Sequence, residues 1–101
     1  MYRGTTPQIK LKLDTNLDLS DIVSLWVTFK GISFEVTKTL GEALIFNDLK
    51  EIRVDLTQEE TLKLKQGKIQ VQVRFRLSSG RAYASSIAQL PLNAILKEGV
   101  I

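Results

Sequence analysis

The sequence contains neither cysteine nor histidine. Without thiols the chain can form no disulfide and offers no thiolate nucleophile, and without imidazole it lacks the commonest general base and ligands for almost every zinc site. The chain also lacks the apolar run of a signal peptide and any stretch long enough to span a membrane. We therefore expect no disulfide framework, no membrane association, and a product that stays in the cytosol unless an assembly carries it out.

The composition is that of one globular domain. The chain has 101 residues, of which 44% are hydrophobic and 25% charged, far from the low hydrophobicity and high charge of disordered chains. A chain of this length can bury one core, so we predict a single domain over residues 1–101. Its first seven residues are polar and contain Pro7, and they are predicted to be a flexible arm or an unpaired edge. The net charge of +3 gives only weak support for an anionic partner.

The strongest pattern lies in residues 68–77. Its apolar and polar side chains alternate without a break, which is typical of a strand with one face on a core and the other in water. The residues predicted to point inward are Ile69, Val71, Val73, Phe75 and Leu77, and those predicted to point outward are Lys68, Gln70, Gln72, Arg74 and Arg76. We predict that this segment is the central strand of an antiparallel sheet.

Weaker alternation predicts further strands over residues 8–13, 22–30, 33–39, 43–46, 50–56 and 81–90, with 22–39 forming a hairpin. In the second of these, the residues predicted to face the core are Val23, Leu25, Val27 and Phe29. Pro91 is expected to end the pairing of the last strand. A final helical turn is expected over residues 93–98.

One short helix is predicted near residues 58–65. Thr57 and Glu60 have the spacing of a capping box, in which each side chain bonds the other's backbone amide, and Gly67 is the expected terminator. Short strands at turn spacings near ten residues, with no alternation of strands and helices, indicate an all-β fold. We predict an immunoglobulin-like two-sheet antiparallel sandwich, with a small barrel as the alternative.

Trp26 is the most informative single residue. It lies on the face of its strand that otherwise carries Ser24, Thr28 and Lys30. A large aromatic there either packs beneath another segment or awaits a partner. The intramolecular interpretation uses the carboxy-terminal apolar residues Leu92, Ile95 and Leu96 as the cover.

The charged residues favour no catalytic chemistry. Glu59 and Glu60 are explained by helix capping, and Asp18 and Asp21 by turn formation. No phosphate-binding loop, nucleophile elbow or metal-ligand spacing is present. We therefore predict that the protein is not an enzyme, with no catalytic, cofactor-binding or metal-ligating residues and no cofactor.

A basic stripe is predicted on the outer face of one hairpin. It contains Arg74, Arg76, Arg81, Lys68 and, as a further candidate, Arg53. Three interpretations stay open, in this order of preference: a solvated sheet face, a protein contact, and a nucleic-acid contact. Nucleic acid comes last because the stripe interleaves glutamines rather than the aromatics that stack on bases.

Five segments carry a resemblance to a known group: Arg3-Gly-Thr-Thr-Pro7, Val27-Thr-Phe-Lys30, Leu56-Thr-Gln-Glu-Glu-Thr-Leu62, Ala84-Ser-Ser-Ile87 and Ile95-Leu-Lys-Glu-Gly-Val-Ile101. With these segments the whole chain resembles small phage and prophage proteins of gut Firmicutes. More distantly, the order of Leu-Asp-Leu-Ser, Val-Thr-Phe-Lys, Leu-Thr, Gly and Val-Gln-Val-Arg-Phe is similar to the amino-terminal immunoglobulin-like domain of phage baseplate upper proteins. In those proteins this domain anchors the receptor-binding machinery.

The resemblance implies a structural or accessory protein of a phage virion, tail or baseplate that acts through protein–protein contacts. Its location would be the virion or the cytoplasm of the bacterial host, and its partners other phage structural proteins or further copies of itself. The alternative is a small basic β-domain that binds nucleic acid or another polyanion. The candidate partner contacts are Arg3, Thr5, Pro7, Trp26, Arg74, Arg76 and Arg81.

Overall fold

The computed structural model describes all 101 residues. The chain is mostly β, with 49% of residues in strands and 10% in helices. In chain order the elements are β1 (Gln8–Lys12), a 3-10 turn (Leu19–Asp21), β2 (Ile22–Lys30), β3 (Glu35–Thr39), β4 (Ala43–Phe46), β5 (Glu51–Asp55), α1 (Gln58–Leu64), β6 (Gly67–Leu77), β7 (Ala82–Ala84) and β8 (Ala88–Leu92).

The strands form two antiparallel sheets. The smaller sheet has the order β1-β5-β4. The larger sheet has the order β3-β2-β6, and β7 and β8 both pair with the far side of β6, β7 near its carboxyl end and β8 near its amino end. The all-β prediction is confirmed in this form.

β6 is the central strand that the alternation predicted. Its inward residues are all buried and belong to one hydrophobic core, to which both sheets contribute. Phe29 on β2 and Ile52 on β5 are fully buried in the same core. The period-2 pattern succeeds here because one face of the strand packs against the other sheet while the opposite face stays in water.

The inward face of β2 departs from the prediction at its start. Val23 was predicted to face the core, but it is exposed and Ile22 is buried instead. The pairing of β2 with β6 shifts between Ile22 and Ser24. A bulge of this kind adds one residue to a strand and reverses the faces on either side of it. From Leu25 onward the predicted faces are correct.

The segment predicted as one strand over residues 81–90 is two strands. Between β7 and β8, the Ser85 hydroxyl accepts a hydrogen bond from the Val73 amide of β6 at 3.0 Å. The prediction that Pro91 ends the pairing is wrong, because Pro91 lies within β8 opposite Lys68. Its carbonyl accepts from the amino group of Met1 and so faces the outer edge. Proline has no N–H group, and the position where that group would be faces the same outer edge. The pairing with β6 therefore loses no hydrogen-bond donor.

α1 begins as predicted. The Thr57 hydroxyl accepts from the Glu60 amide, and the Glu60 carboxylate accepts from the Thr57 amide, which completes the capping box. The helix ends at Leu64, and Lys65 rather than Gly67 takes the positive φ of 65° that follows it. Gly67 is the first residue of β6.

The first seven residues, predicted to be a flexible arm or an unpaired edge, are hydrogen-bonded to distant parts of the chain. Tyr2 forms a parallel bridge with Asn93, so the helical turn predicted over residues 93–98 is absent. The Thr5 carbonyl accepts from the Thr61 hydroxyl, and the Pro7 carbonyl accepts from the Leu56 amide. These bonds tie residues 1–7 to the residue that follows β8, to the segment before α1 and to α1 itself.

Candidate functional site

Trp26 lies in the middle of β2 with its side chain on the outer face of the larger sheet. It is 51% exposed. The cover predicted for it is wrong: Leu92 is buried opposite Gly67, near the end of β6 away from Trp26, and Leu96 is fully exposed. Ile95 lies near Gly4. The carboxy-terminal segment therefore leaves half of the indole in water.

Arg74 stands directly opposite Trp26 on the neighbouring strand β6. Its guanidinium carbon lies 5.4 Å from the centroid of the indole ring, a cation–π contact. The four ion pairs of the structure involve other residues, so the charges of Arg74 and of Arg76, two residues along, are not neutralised by a carboxylate. An exposed aromatic and an unpaired guanidinium thus form one unit.

Two shallow hollows flank the Trp26–Arg74 pair, and both residues border each hollow. The larger has a volume of about 480 Å³ and is also lined by Thr28, Lys30, Glu35, Thr37, Gln70, Val71, Gln72 and Ile87. The smaller has a volume of about 260 Å³ and is also lined by Ser24, Phe75, Arg76, Ala82 and Tyr83. We call this surface the Trp26 face. On this face the apolar indole of Trp26 lies beside hydroxyl, amide and charged groups.

Hydrogen bonds and packing hold this face in place. The hydroxyls of Thr28 and Thr37 lie 3.2 Å apart across β2 and β3. The amide nitrogen of Gln72 donates to the carbonyl of Ser85 at 3.0 Å. Beneath the face, Val27 and Val73 are buried in the core. Side chains supported in this way lose little further conformational freedom when a partner binds.

The charge of the Trp26 face is mainly positive. It carries Lys30, Arg74 and Arg76 against a single carboxylate, that of Glu35. Arg81 is exposed at the start of β7, where its carbonyl accepts from the Leu77 amide. The face is therefore complementary to a surface that combines an acidic group with an apolar one.

Other members of the predicted basic stripe lie elsewhere. Arg53 is on β5 of the smaller sheet, where its guanidinium bonds Glu51 at 2.7 Å and stacks over Phe46 at 4.1 Å. Lys68 is exposed near the start of β6, opposite Pro91. The stripe thus reduces to Arg74 and Arg76, with Arg81 at the adjoining turn.

Arg3 is not available to a partner. Its side chain is buried, with the residue only 5% exposed, and it forms an ion pair with Glu98 and donates to the carbonyl of Leu62 at 2.8 Å. Its role is to join residues 1–7 to α1 and to the carboxy-terminal segment. Thr5 is exposed and Pro7 is half-buried, and neither lines the hollows beside Trp26.

A partly buried ion pair links β3 to α1, and the sequence did not lead us to predict it. The amino group of Lys38 points inward and lies 2.9 Å from the Glu60 carboxylate and 3.9 Å from that of Glu42. Burial would raise the pKa of Glu60, but the hydrogen bond from Lys38 and the cap bond from Thr57 outweigh it and lower the pKa. The alternation of β3 could have predicted this inward position, because Lys38 lies two residues after Val36 and therefore on the same face of the strand.

A further acidic residue, Asp18, holds a turn. Asp18 caps the 3-10 turn, and the hydroxyl and amide of Ser20 lower the pKa of its carboxyl group. The same carboxylate accepts from the Asn47 amide at 2.9 Å, and Asn47 also accepts from the Leu19 amide. This network fastens the 3-10 turn to the turn between β4 and β5.

The structure contains no cluster of three or more acidic side chains placed to hold a metal ion. None of its helices has the length and apolar character needed to cross a bilayer. Comparison of the chain with models of protein families, with curated proteins and with solved structures gives no match.

Proposed function

We propose that this chain is a non-enzymatic structural or accessory protein of a phage virion, tail or baseplate, and that it docks a protein partner on the Trp26 face. The observation that carries the proposal is the half-exposed Trp26 held against an unpaired Arg74 on a packed sheet. Tryptophan and arginine are the residues most enriched among those that dominate binding energy at protein interfaces. The sequence resemblance to phage proteins supplies the biological setting.

We further propose that the sandwich is immunoglobulin-like. In that fold one sheet has strands in the order A-B-E-D and the other contains C, F and G. The order β1-β5-β4 corresponds to B-E-D, and β2, β6 and the β7–β8 pair correspond to C, F and G, with β3 in the place of the extra strand of variable-type domains. This correspondence also supports the distant likeness to the baseplate domain, which serves as an anchor.

The partner surface is expected to present an apolar group to the Trp26 indole and a carboxylate to Arg74 or Arg76. Truncation of such a central aromatic costs about 2 kcal/mol or more in binding, roughly 30-fold in affinity. Removal of a fully buried tryptophan costs roughly 3–5 kcal/mol. Trp26→Ala should cost the isolated domain much less, because half of the indole already contacts water.

Incorporation into particles tests the proposal. Tagged wild-type chain and variants are expressed while the phage that encodes the chain assembles, and the tag is quantified in purified particles and in their assembly intermediates. Trp26→Ala and Arg74→Ala should lower incorporation strongly. Leu49→Ala is the matched control, because Leu49 is 53% exposed but lies in the turn between β4 and β5.

Two results would count against the proposal. One is the absence of the wild-type chain from both particles and intermediates. The other is a loss of incorporation in Trp26→Ala that is matched by Leu49→Ala or by a large drop in the unfolding temperature of the purified variant. The last outcome would make Trp26 a stability residue rather than a contact.

A polyanion-binding function is the second candidate, because Arg74, Arg76 and Arg81 form no ion pair around the β6–β7 hairpin. Three phosphate contacts to duplex DNA would give a slope of log affinity against log salt of about −3. A salt titration with a labelled duplex, repeated on Arg76→Gln, measures this slope. Binding that is absent, or insensitive to salt, excludes this candidate.

A further inference from the structure

The two sheets expose several strand edges, and most of them are protected. An unprotected edge offers unpaired backbone groups to another chain, and proteins block such edges with charges, prolines, inward-pointing charged residues or very short strands. β1 carries the exposed Lys10 and Lys12, β3 carries the inward-pointing Lys38, and β8 contains Pro91. β7 is only three residues long.

β4 is an edge strand of four residues that is protected by neither a charge nor a proline. Its sequence is Ala43-Leu44-Ile45-Phe46, with no charge and no proline. It pairs with β5 on one side only, and none of its backbone groups takes part in a hydrogen bond outside that pairing. The 3-10 turn packs beside β4, but its bond goes to the Asn47 side chain rather than to the β4 backbone. The outer donors and acceptors of β4 are therefore unused.

We propose that β4 pairs in antiparallel fashion with β4 of a second copy of this chain. The two smaller sheets would then join into one continuous sheet with the order β1-β5-β4-β4-β5-β1. Self-pairing suits β4 better than β1, since two uncharged copies of β4 bring no like charges together, whereas a pair of β1 edges would oppose lysines. The interface uses the same patch twice, so assembly closes at a dimer.

The pleat restricts how the two strands align. Ala43 and Ile45 pack against the core, whereas Leu44 is 56% exposed on the outer face and Phe46 stacks there against Arg53. Residues directly opposite each other in an antiparallel pair lie on the same face. Two alignments about a two-fold axis keep the faces matched and pair three of the four residues of β4: Leu44 opposite Leu44, or Ile45 opposite Ile45. Either one covers the exposed Leu44.

The chain has no cysteine, so single-cysteine variants test this directly. Under mild oxidation, Leu44→Cys should crosslink in the first alignment and Ile45→Cys in the second, because only opposed residues bring their Cβ atoms close enough for a disulfide. Lys12→Cys, on the exposed edge of β1, is the control and should stay uncrosslinked at the same protein concentration. A crosslink in Leu44→Cys or Ile45→Cys alone supports the pairing.

Solution mass gives the second measurement. Light scattering on wild-type protein should show twice the 11.4 kDa of one chain. Leu44→Lys should weaken the dimer by up to about 5-fold, because it removes the apolar side chain that pairing covers and brings two charges to the shared edge. Leu49→Lys, at an equally exposed leucine in the adjoining turn, should leave the dimer intact. A wild-type monomer at every concentration, or a dimer indifferent to Leu44→Lys with no crosslink at either position, overturns the proposal. The Trp26 face lies on the other sheet, so its function does not depend on this result.

Discussion

Replacement of Gly31 by alanine tests the contact between the β2–β3 turn and the end of α1. A Cβ atom at Gly31 would lie 2.4 Å from the carbonyl oxygen of Leu64, against an ordinary contact of 3.4–4 Å, and would also crowd the Leu64 carbonyl carbon at 3.2 Å. The obstacle is backbone, so no rotamer change relieves it. The Gly31 amide also donates to the Phe34 carbonyl at 2.9 Å, which holds the turn in place.

To lengthen this contact to an ordinary 3.4 Å, the β2–β3 turn and the end of α1 would have to move apart by about 1 Å. Overpacking of this kind costs about 1–3 kcal/mol. In a domain of this size each kcal/mol lowers the unfolding temperature by about 4–8 °C. Urea unfolding followed by circular dichroism gives the free energy of unfolding directly. Gly31→Ala should lower the urea midpoint with an unchanged slope.

Gly41→Ala is the matched control for this measurement. Gly41 has no atom within 4 Å of its ideal Cβ position and its φ is not positive. It should therefore be neutral, or stabilising by about 0.4–1 kcal/mol through a less flexible unfolded chain. If Gly31→Ala unfolds within about 0.5 kcal/mol of wild type, the spread of an ordinary surface substitution, then the close approach to Leu64 is not a constraint and the reasoning fails.

Two further predictions concern the capping box and the acidic limb of the stability curve. Thr57→Ala should lower the free energy of unfolding in urea by about 1 kcal/mol, because the Glu60 amide loses its acceptor. Thr57→Ser keeps a hydroxyl and should be close to wild type. Equal losses of stability in the two variants would show that the cap hydrogen bond does not stabilise the helix. Hydrogen bonds from Thr39 lower the pKa of Glu42 below its ordinary 4.5, and the pKa of Glu60 is likewise lowered. Because both pKa values are depressed in the folded state, their contribution is present above about pH 4.5 and is lost as the pH falls through the folded values. Unfolding midpoints measured down to pH 3 should show this loss reduced in the Glu42→Gln, Glu60→Gln double variant, and an equal loss there would refute the assignment.

Local features of this protein could be predicted from the sequence because their interactions involve near neighbours. The capping box joins Thr57 to Glu60, three residues apart, and forms as expected. β6 is long enough that its alternation admits only one assignment of faces. At the start of β2 the same alternation placed Val23 inward, whereas Ile22 is the buried residue. The bulge that decides it depends on the pairing with β6.

Features that depend on distant segments could not be predicted in this way. Arg3 belonged to a polar stretch that looked unattached, but it meets Glu98 at the other end of the chain. Pro91 looked like a strand terminator, and whether it blocks pairing depends on which of its sides faces β6. Both outcomes depend on contacts with residues that are far away in the sequence.

The sequence by itself determined the all-β character, the central strand, the helix start and the presence of Trp26 on a polar strand face, because each follows from the pattern of side chains along a short segment. Only the tertiary structure decided that Trp26 is uncovered, that Arg74 lies against it and that β4 keeps an open, uncharged edge. Exposure and edge pairing are properties of what packs alongside a residue. Those neighbours are distant in the sequence, so the pattern of side chains along a short segment cannot identify them.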